Sequence, residues 1–163
     1  MKKVIVLLVV AMFFIAVSCE KPDASKDLKP LVDQYVEAWN TGNEELFDAV
    51  VDPQFERHMS PASRTIVVGL DSLKSVMRSL RASYPDFHVT MDEVIYLDNK
   101  VITRYHFSGT NTGPGAIPPT GKKYTATGIS ISNVKDGKFI DEFAEVDNLI
   151  IMLQLGFTLT PPQ

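Results

Sequence analysis

Apolar residues recur at the spacing of one helical face from Leu28 through Leu31, Val32, Tyr35 and Val36 to Trp39. Thr41-Gly42-Asn43 stops this helix, and Asn43 is placed to cap a second one over 44–51 that ends at Asp52-Pro53. A third helix is expected over 71–83, with Asp71 as its N-cap and Leu73, Val76, Met77 and Leu80 on the buried side; Tyr84-Pro85 closes it. The period then changes. Phe87, Val89 and Met91 alternate with His88, Thr90 and Asp92, the signature of a half-buried strand. Asp98-Asn99-Lys100 turns the chain into a strand over 101–110, and a loop rich in Gly and Pro (111–121) leads to another over 123–134. Lys135-Asp136-Gly137-Lys138 reads as a hairpin turn into a fourth strand, 139–146. A last apolar segment, 149–155, ends at Gly156, a helix C-cap. Helices first and an antiparallel meander after them give an α+β domain.

The N-terminus follows a different rule. Lys2 and Lys3 precede an unbroken apolar run of fourteen residues, 4–17. A membrane-spanning helix needs about 20, whereas this length suits the apolar region of a secretory signal. Ala16-Val17-Ser18-Cys19 resembles a bacterial lipobox, with Ala16 in place of the usual Leu; cleavage there leaves Cys19 as a lipid-bearing N-terminus. The alternative is an ordinary cleaved signal with an incidental cysteine. The expected organisation is a signal peptide (1–18), a lipidated linker (19–27), one domain (28–157) and a short tail (158–163). On that reading the protein is anchored in the bacterial cell envelope.

Composition narrows the function. With 163 residues, 45% hydrophobic and 22% charged, the chain is globular and of single-domain size. Removal of residues 1–18 leaves 14 basic against 20 acidic side chains, a charge of −6 that argues against nucleic-acid binding. The lone cysteine excludes a disulfide framework and a cysteine-rich zinc site. His58, His88 and His106 lack local metal-ligand spacing. No P-loop, nucleophile elbow or zinc helix is present, and Gly113-Pro114-Gly115 lies between strands, without the strand-to-helix context of a dinucleotide site.

Several segments carry a family likeness: Trp39-Asn40-Thr41-Gly42-Asn43, Tyr84-Pro85-Asp86-Phe87-His88-Val89, Ser108-Gly109-Thr110-Asn111-Thr112-Gly113, Ile117-Pro118-Pro119-Thr120-Gly121-Lys122, and Asp147 ahead of Gln154-Leu155-Gly156. In this order they resemble the SnoaL-like polyketide cyclases, or ester cyclases, of the nuclear transport factor 2-like superfamily. The resemblance implies a cone-shaped α+β barrel in which a curved antiparallel sheet surrounds a pocket covered by the N-terminal helices. It also implies acid–base chemistry on a small apolar carbonyl compound without metal or cofactor. The superfamily often dimerises through its sheet, so a homodimer is among the expectations.

The resemblance places the family's catalytic aspartate at Asp147, with His58 as its pocket partner. Phe143, Leu149 and Ile150 supply the apolar surroundings that raise a carboxylate's pKa. Asp147 also stands where a cap for the last helix belongs, which favours the opposite shift. Tyr35 and Trp39 are core residues and pocket wall, and Phe143 is expected in the pocket beside Asp147; Arg104 and His106 join them if the strand face they share lines the pocket. Asn111, Ser130, Ser132 and Asn133 depart from the family, which often carries histidines there. Two functions therefore stand: an acid–base catalyst, or a lipoprotein that holds an apolar ligand or a partner without turning it over. A polar pair converging in the cavity favours the first; an Asp147 turned onto the helix end favours the second.

Overall fold

Residues 24–59 and 66–161 are described by the structure, a computed structural model. The expected signal peptide and Cys19 lie outside them. The described residues form α1 (Ala24–Thr41), α2 (Glu45–Val50), β1 (Val51–Met59), β2 (Ile66–Val68), α3 (Leu70–Ser83), β3 (His88–Leu97), β4 (Lys100–Thr110), β5 (Lys123–Lys135), β6 (Lys138–Val146) and α4 (Asn148–Leu155). The strands make one open sheet in the order β2-β1-β6-β5-β4-β3. Every neighbouring pair is antiparallel except β1 with β6. The α+β class and the curved sheet under N-terminal helices are as the pattern of residues implies.

The four long strands fall where alternation places them. In β4, Val101, Thr103, Tyr105 and Phe107 are buried while the residues between them are not. The β5–β6 turn has Asp136 and Gly137 at φ 51° and 74°, the left-handed pair that matches strand twist in a tight hairpin. Strands β1 and β2 are additions to the expected meander. Alternation is lost in β1 because its pairing with β6 slips between Val51 and Glu56, a bulge that contains Pro53 and tolerates its missing N–H. Two helix starts also differ from expectation. The N-cap of α3 is Gly69 (φ 84°), with Asp71 inside the first turn, and the N-cap of α2 is Glu44. Asn43 instead accepts a hydrogen bond from Glu45 N at 3.1 Å.

Apolar burial joins the layers. Phe47, Phe55, Leu73 and Met77 are sealed between α2, α3 and β1. Arg81 near the end of α3 donates to the carbonyls of Trp39, Asn40, Pro85 and Phe87. Asn40 in turn exchanges hydrogen bonds with the backbone of Val89. These contacts fix the end of α1 over β3 and set the roof of the space beneath it.

Candidate functional site

Between the inner face of the sheet and helices α1, α3 and α4 lies a cavity of about 440 Å³. Its walls are mostly apolar: Val36, Trp39, Leu80, Phe87, Met91 and Ile151 are among the side chains that face it. Such a space suits a small molecule of low polarity.

The floor carries a stripe of polar groups. Arg57 on β1 and Glu142 on β6 are register partners, and Arg57 Nε stands 2.8 Å from Glu142 Oε2. The N–H is not directed along this contact, which is therefore electrostatic rather than a formed hydrogen bond. Tyr35 on α1 donates its hydroxyl to the same Oε2 at 3.2 Å. The Arg57 guanidinium lies over the Trp39 ring, 5.2 Å from its centre. On the next strands, Ser132 faces Glu142 in register, and the Thr103 and Ser130 hydroxyls are hydrogen-bonded at 2.8 Å. Arg57 and Glu142 are the only basic and only acidic side chains among the described residues that line the cavity.

Burial sets the protonation of this cluster. It drives the Tyr35 phenol well above its usual range, and the Glu142 charge adds to the effect. Tyr105, beside Arg57, is pushed up to about 12 by burial and then by Glu142. Burial, the largest single influence, would lower the pKa of the Arg57 guanidinium, but Glu142, Tyr35 and Tyr105 together outweigh it and the group stays charged. Gly128 makes room for this arrangement: a Cβ there would lie 2.6 Å from the Tyr105 ring.

The residues singled out from sequence divide between the two faces. Tyr35 and Trp39 line the cavity. Arg104 and His106 do not; they alternate outward from the buried positions of β4 and meet Asp92 at 3.2 and 2.7 Å on the outer face. Phe143 is likewise outside, 51% exposed. The cause is a bulge at Ile140, where the β5–β6 register shifts: Phe139 faces inward as alternation suggests, and three residues later Glu142 does too. His58 is stacked on Phe143, ring centres 4.5 Å apart and planes within 8°, with Nε2 3.2 Å from Glu56. Asp147 is the N-cap of α4; its carboxylate accepts from Ile150 N at 3.0 Å. It is not among the side chains lining the cavity, although Val146 and Asn148 on either side are. Asn111 is buried within its own loop and accepts from Thr120 N, and Ser130 and Ser132 face the cavity. Arg57, Glu142, Tyr105 and Thr103 escaped the sequence reading. The signal that could have found them is charge and hydroxyl at inward positions of otherwise apolar strands.

The family described as SnoaL-like polyketide cyclase matches residues 29–155. Among solved structures, TsrD from Streptomyces laurentii is 26% identical, covers 80% of this chain and 96% of its own, and superposes with a TM-score of 0.72. A candidate polyketide cyclase from Bacillus cereus is 28% identical, over 82% of this chain and 83% of that one, TM-score 0.68. A SnoaL-like polyketide cyclase from Jannaschia, 18% identical over 85% of this chain and 96% of that one with a TM-score of 0.74, shares the fold. No curated protein matches the chain.

Proposed function

The chain belongs to the SnoaL-like polyketide cyclase family, and from that premise we propose that its cavity receives a small, largely apolar carbonyl compound and carries out acid–base chemistry on it. The observation that carries this reading is one charged pair, with a few hydroxyl groups beside it, converging within a mostly apolar space of about 440 Å³. The apolar walls exclude water and strengthen every electrostatic interaction inside. The polar floor orients the carbonyl, and neither step calls on a metal or cofactor. A second reading, ligand binding without turnover, draws on Asp147, whose carboxylate is engaged by the end of α4.

Native mass spectrometry of the purified full-length protein, searching for a retained small molecule, tests the binding step. Trp39, the single tryptophan, faces the cavity and provides a second readout. Saturable quenching of its fluorescence by 2-tetralone is expected, weakened by Val76→Phe at the partly exposed cavity wall. Absence of both a retained molecule and any quenching would sink the proposal.

Two further parts concern where the protein works. The basic start, apolar run and lone Cys19 support a lipid anchor in the cell envelope; Cys19→Ala should move the protein to the soluble fraction, and unchanged membrane fractionation counts against the anchor. Self-association through the sheet is supported by its outer face. There Ile66, His58, Phe143, Ile131, Ile102 and Ile95 are aligned in register across all six strands. In the adjoining row Arg104 and Glu145 flank Ile129, so a second copy related by a two-fold axis can set each charge against its opposite.

A further inference from the structure

We infer that Glu142 is the proton acceptor of this cavity, working on the carbon beside a ketone whose oxygen is held by Arg57 and the Tyr105 hydroxyl. The inference rests on the acid–base reading above and deepens it by naming the reacting groups and the substrate class, an apolar ketone with an enolisable C–H.

Position is the first argument. General-base catalysis requires a group within hydrogen-bond reach of the proton it removes. Among the described residues, Glu142 is the one carboxylate that lines the cavity, whereas Asp147 is engaged by Ile150 N. The residue is only 5% exposed, so it cannot serve as a solvating surface group. Its polar contacts, from Tyr35 and Arg57, both fall on Oε2. They fix the carboxylate in place and leave Oε1 uncommitted among the described residues.

Charge conservation is the second. Before reaction the floor holds a guanidinium beside a carboxylate. When a Glu142 oxygen takes the C–H proton, that bond's electron pair forms the enolate C=C and the carbonyl electrons move onto oxygen. Glu142 becomes neutral as the new oxyanion appears beside Arg57. The guanidinium thus exchanges one anionic partner for another, and the cavity gains no net charge in a medium that would penalise it. The enolate carbon then attacks a second carbonyl carbon of the same molecule, whose π electrons move onto its oxygen and take the proton from Glu142, or the enolate carbon takes that proton back itself. Either way the Glu142 carboxylate is restored. Both endings balance without oxidant, reductant or cofactor. Trp39 below the guanidinium and Tyr105 beside it hold the cation where the oxyanion forms.

Exchange of the α-protons of 2-tetralone into D2O, followed by NMR, tests the assignment on the full chain, with Trp39 quenching as the binding readout. Wild-type protein should accelerate exchange saturably. Glu142→Gln keeps an acceptor for Tyr35 and should lower the catalysed rate by about 10²–10⁴-fold, with quenching retained. Asp147→Asn should leave exchange within about twofold of wild type. If Glu142→Gln fails to fold, the paired Arg57→Met/Glu142→Leu variant removes both charges at similar volume; it should bind the ketone and not exchange it. Wild-type exchange in either Glu142 variant, loss of exchange in Asp147→Asn, or quenching without catalysed exchange in the wild type overturns the inference. No binding by the wild type overturns the underlying ligand reading instead.

Discussion

The two faces of this sheet are made by the same strands and differ in almost every physical respect. Inward, Arg57, Glu142, Tyr105, Thr103 and Ser130 share a water-poor space with apolar walls. Outward, at the adjacent chain positions, His58, Phe143, Arg104, His106 and Ile131 meet solvent or one another. An arginine–carboxylate pair stands on each side: Arg57 with Glu142 within, Arg104 with Asp92 without. The chemistry is the same, but Arg104 is 53% exposed and Arg57 15%. Exposed pairs are screened and contribute roughly 0–1 kcal/mol. The enclosed pair cannot be separated without stranding a charge. Burial, not residue type, makes one of them a candidate site.

Breaking each pair gives the largest expected difference. Arg57→Ala should lower the unfolding free energy by about 3–5 kcal/mol, because Glu142 is left charged and enclosed. Arg104→Ala should cost less than about 1 kcal/mol. Replacing the inner pair together, by Arg57→Met with Glu142→Leu, should recover most of the loss, since desolvation is then relieved along with the attraction. Urea denaturation of the four proteins checks this. Equal costs for the two single variants would remove the distinction between the faces.

That distinction also shows what the sequence could reveal. Periodicity located the long strands, the hairpin at Asp136-Gly137 and the cap at Gly156, because each depends on local chemistry. The faces required more. A one-residue slip exchanges them, and Arg57 beside His58, or Glu142 beside Phe143, differ by that one step. The bulge at Ile140 reverses the parity of β6, and the parallel partner of β6, strand β1, is set by contacts with a segment some 80 residues away in the chain. Neither leaves a local mark. Asp147 is the reverse case: its capping position was legible, and the carboxylate is found there.

Alkaline titration sharpens the same contrast. Unfolded phenols ionise near 10, and burial raises Tyr105 to about 12, with Tyr35 and Tyr124 raised in the same direction. Between the two values the unfolded chain has released a proton that the folded chain retains, so rising pH favours unfolding. The contribution is intact below pH 10 and is lost as pH climbs through about 12, at roughly 1.4 kcal/mol per pH unit for each such phenol. Absorbance near 295 nm should therefore lag behind free tyrosine and rise together with loss of the fold. Early ionisation of most of the five tyrosines in a protein that stays folded would show the inner face to be open to water.

Asp147 sits between the faces, at the end of β6, and offers a smaller effect. Asp147→Ala removes the bond to Ile150 N and should cost about 1 kcal/mol, while Asp147→Asn retains a cap and should cost little. Thermal unfolding of both variants measures the difference. A capping role predicts that stability follows the side chain's ability to accept a hydrogen bond, not its charge. If Asn were as damaging as Ala, the carboxylate charge would matter through something other than the helix end.

The smallest change in folding stability is expected on the outer face, where the readout is association. Ile131 stands at the middle of the apolar row, between Ile102 and Phe143, and is 40% exposed. A surface substitution there should alter stability by no more than about 0.5 kcal/mol. Ile131→Lys places a charge at the centre of the surface that a second copy would cover. Sedimentation should then show self-association for the unaltered protein and a monomer for the variant, with Trp39 quenching by 2-tetralone unchanged because the cavity lies on the opposite face. Self-association that survives Ile131→Lys would place the contact elsewhere. Loss of ligand binding along with association would instead mean that the two faces are coupled through the strands they share.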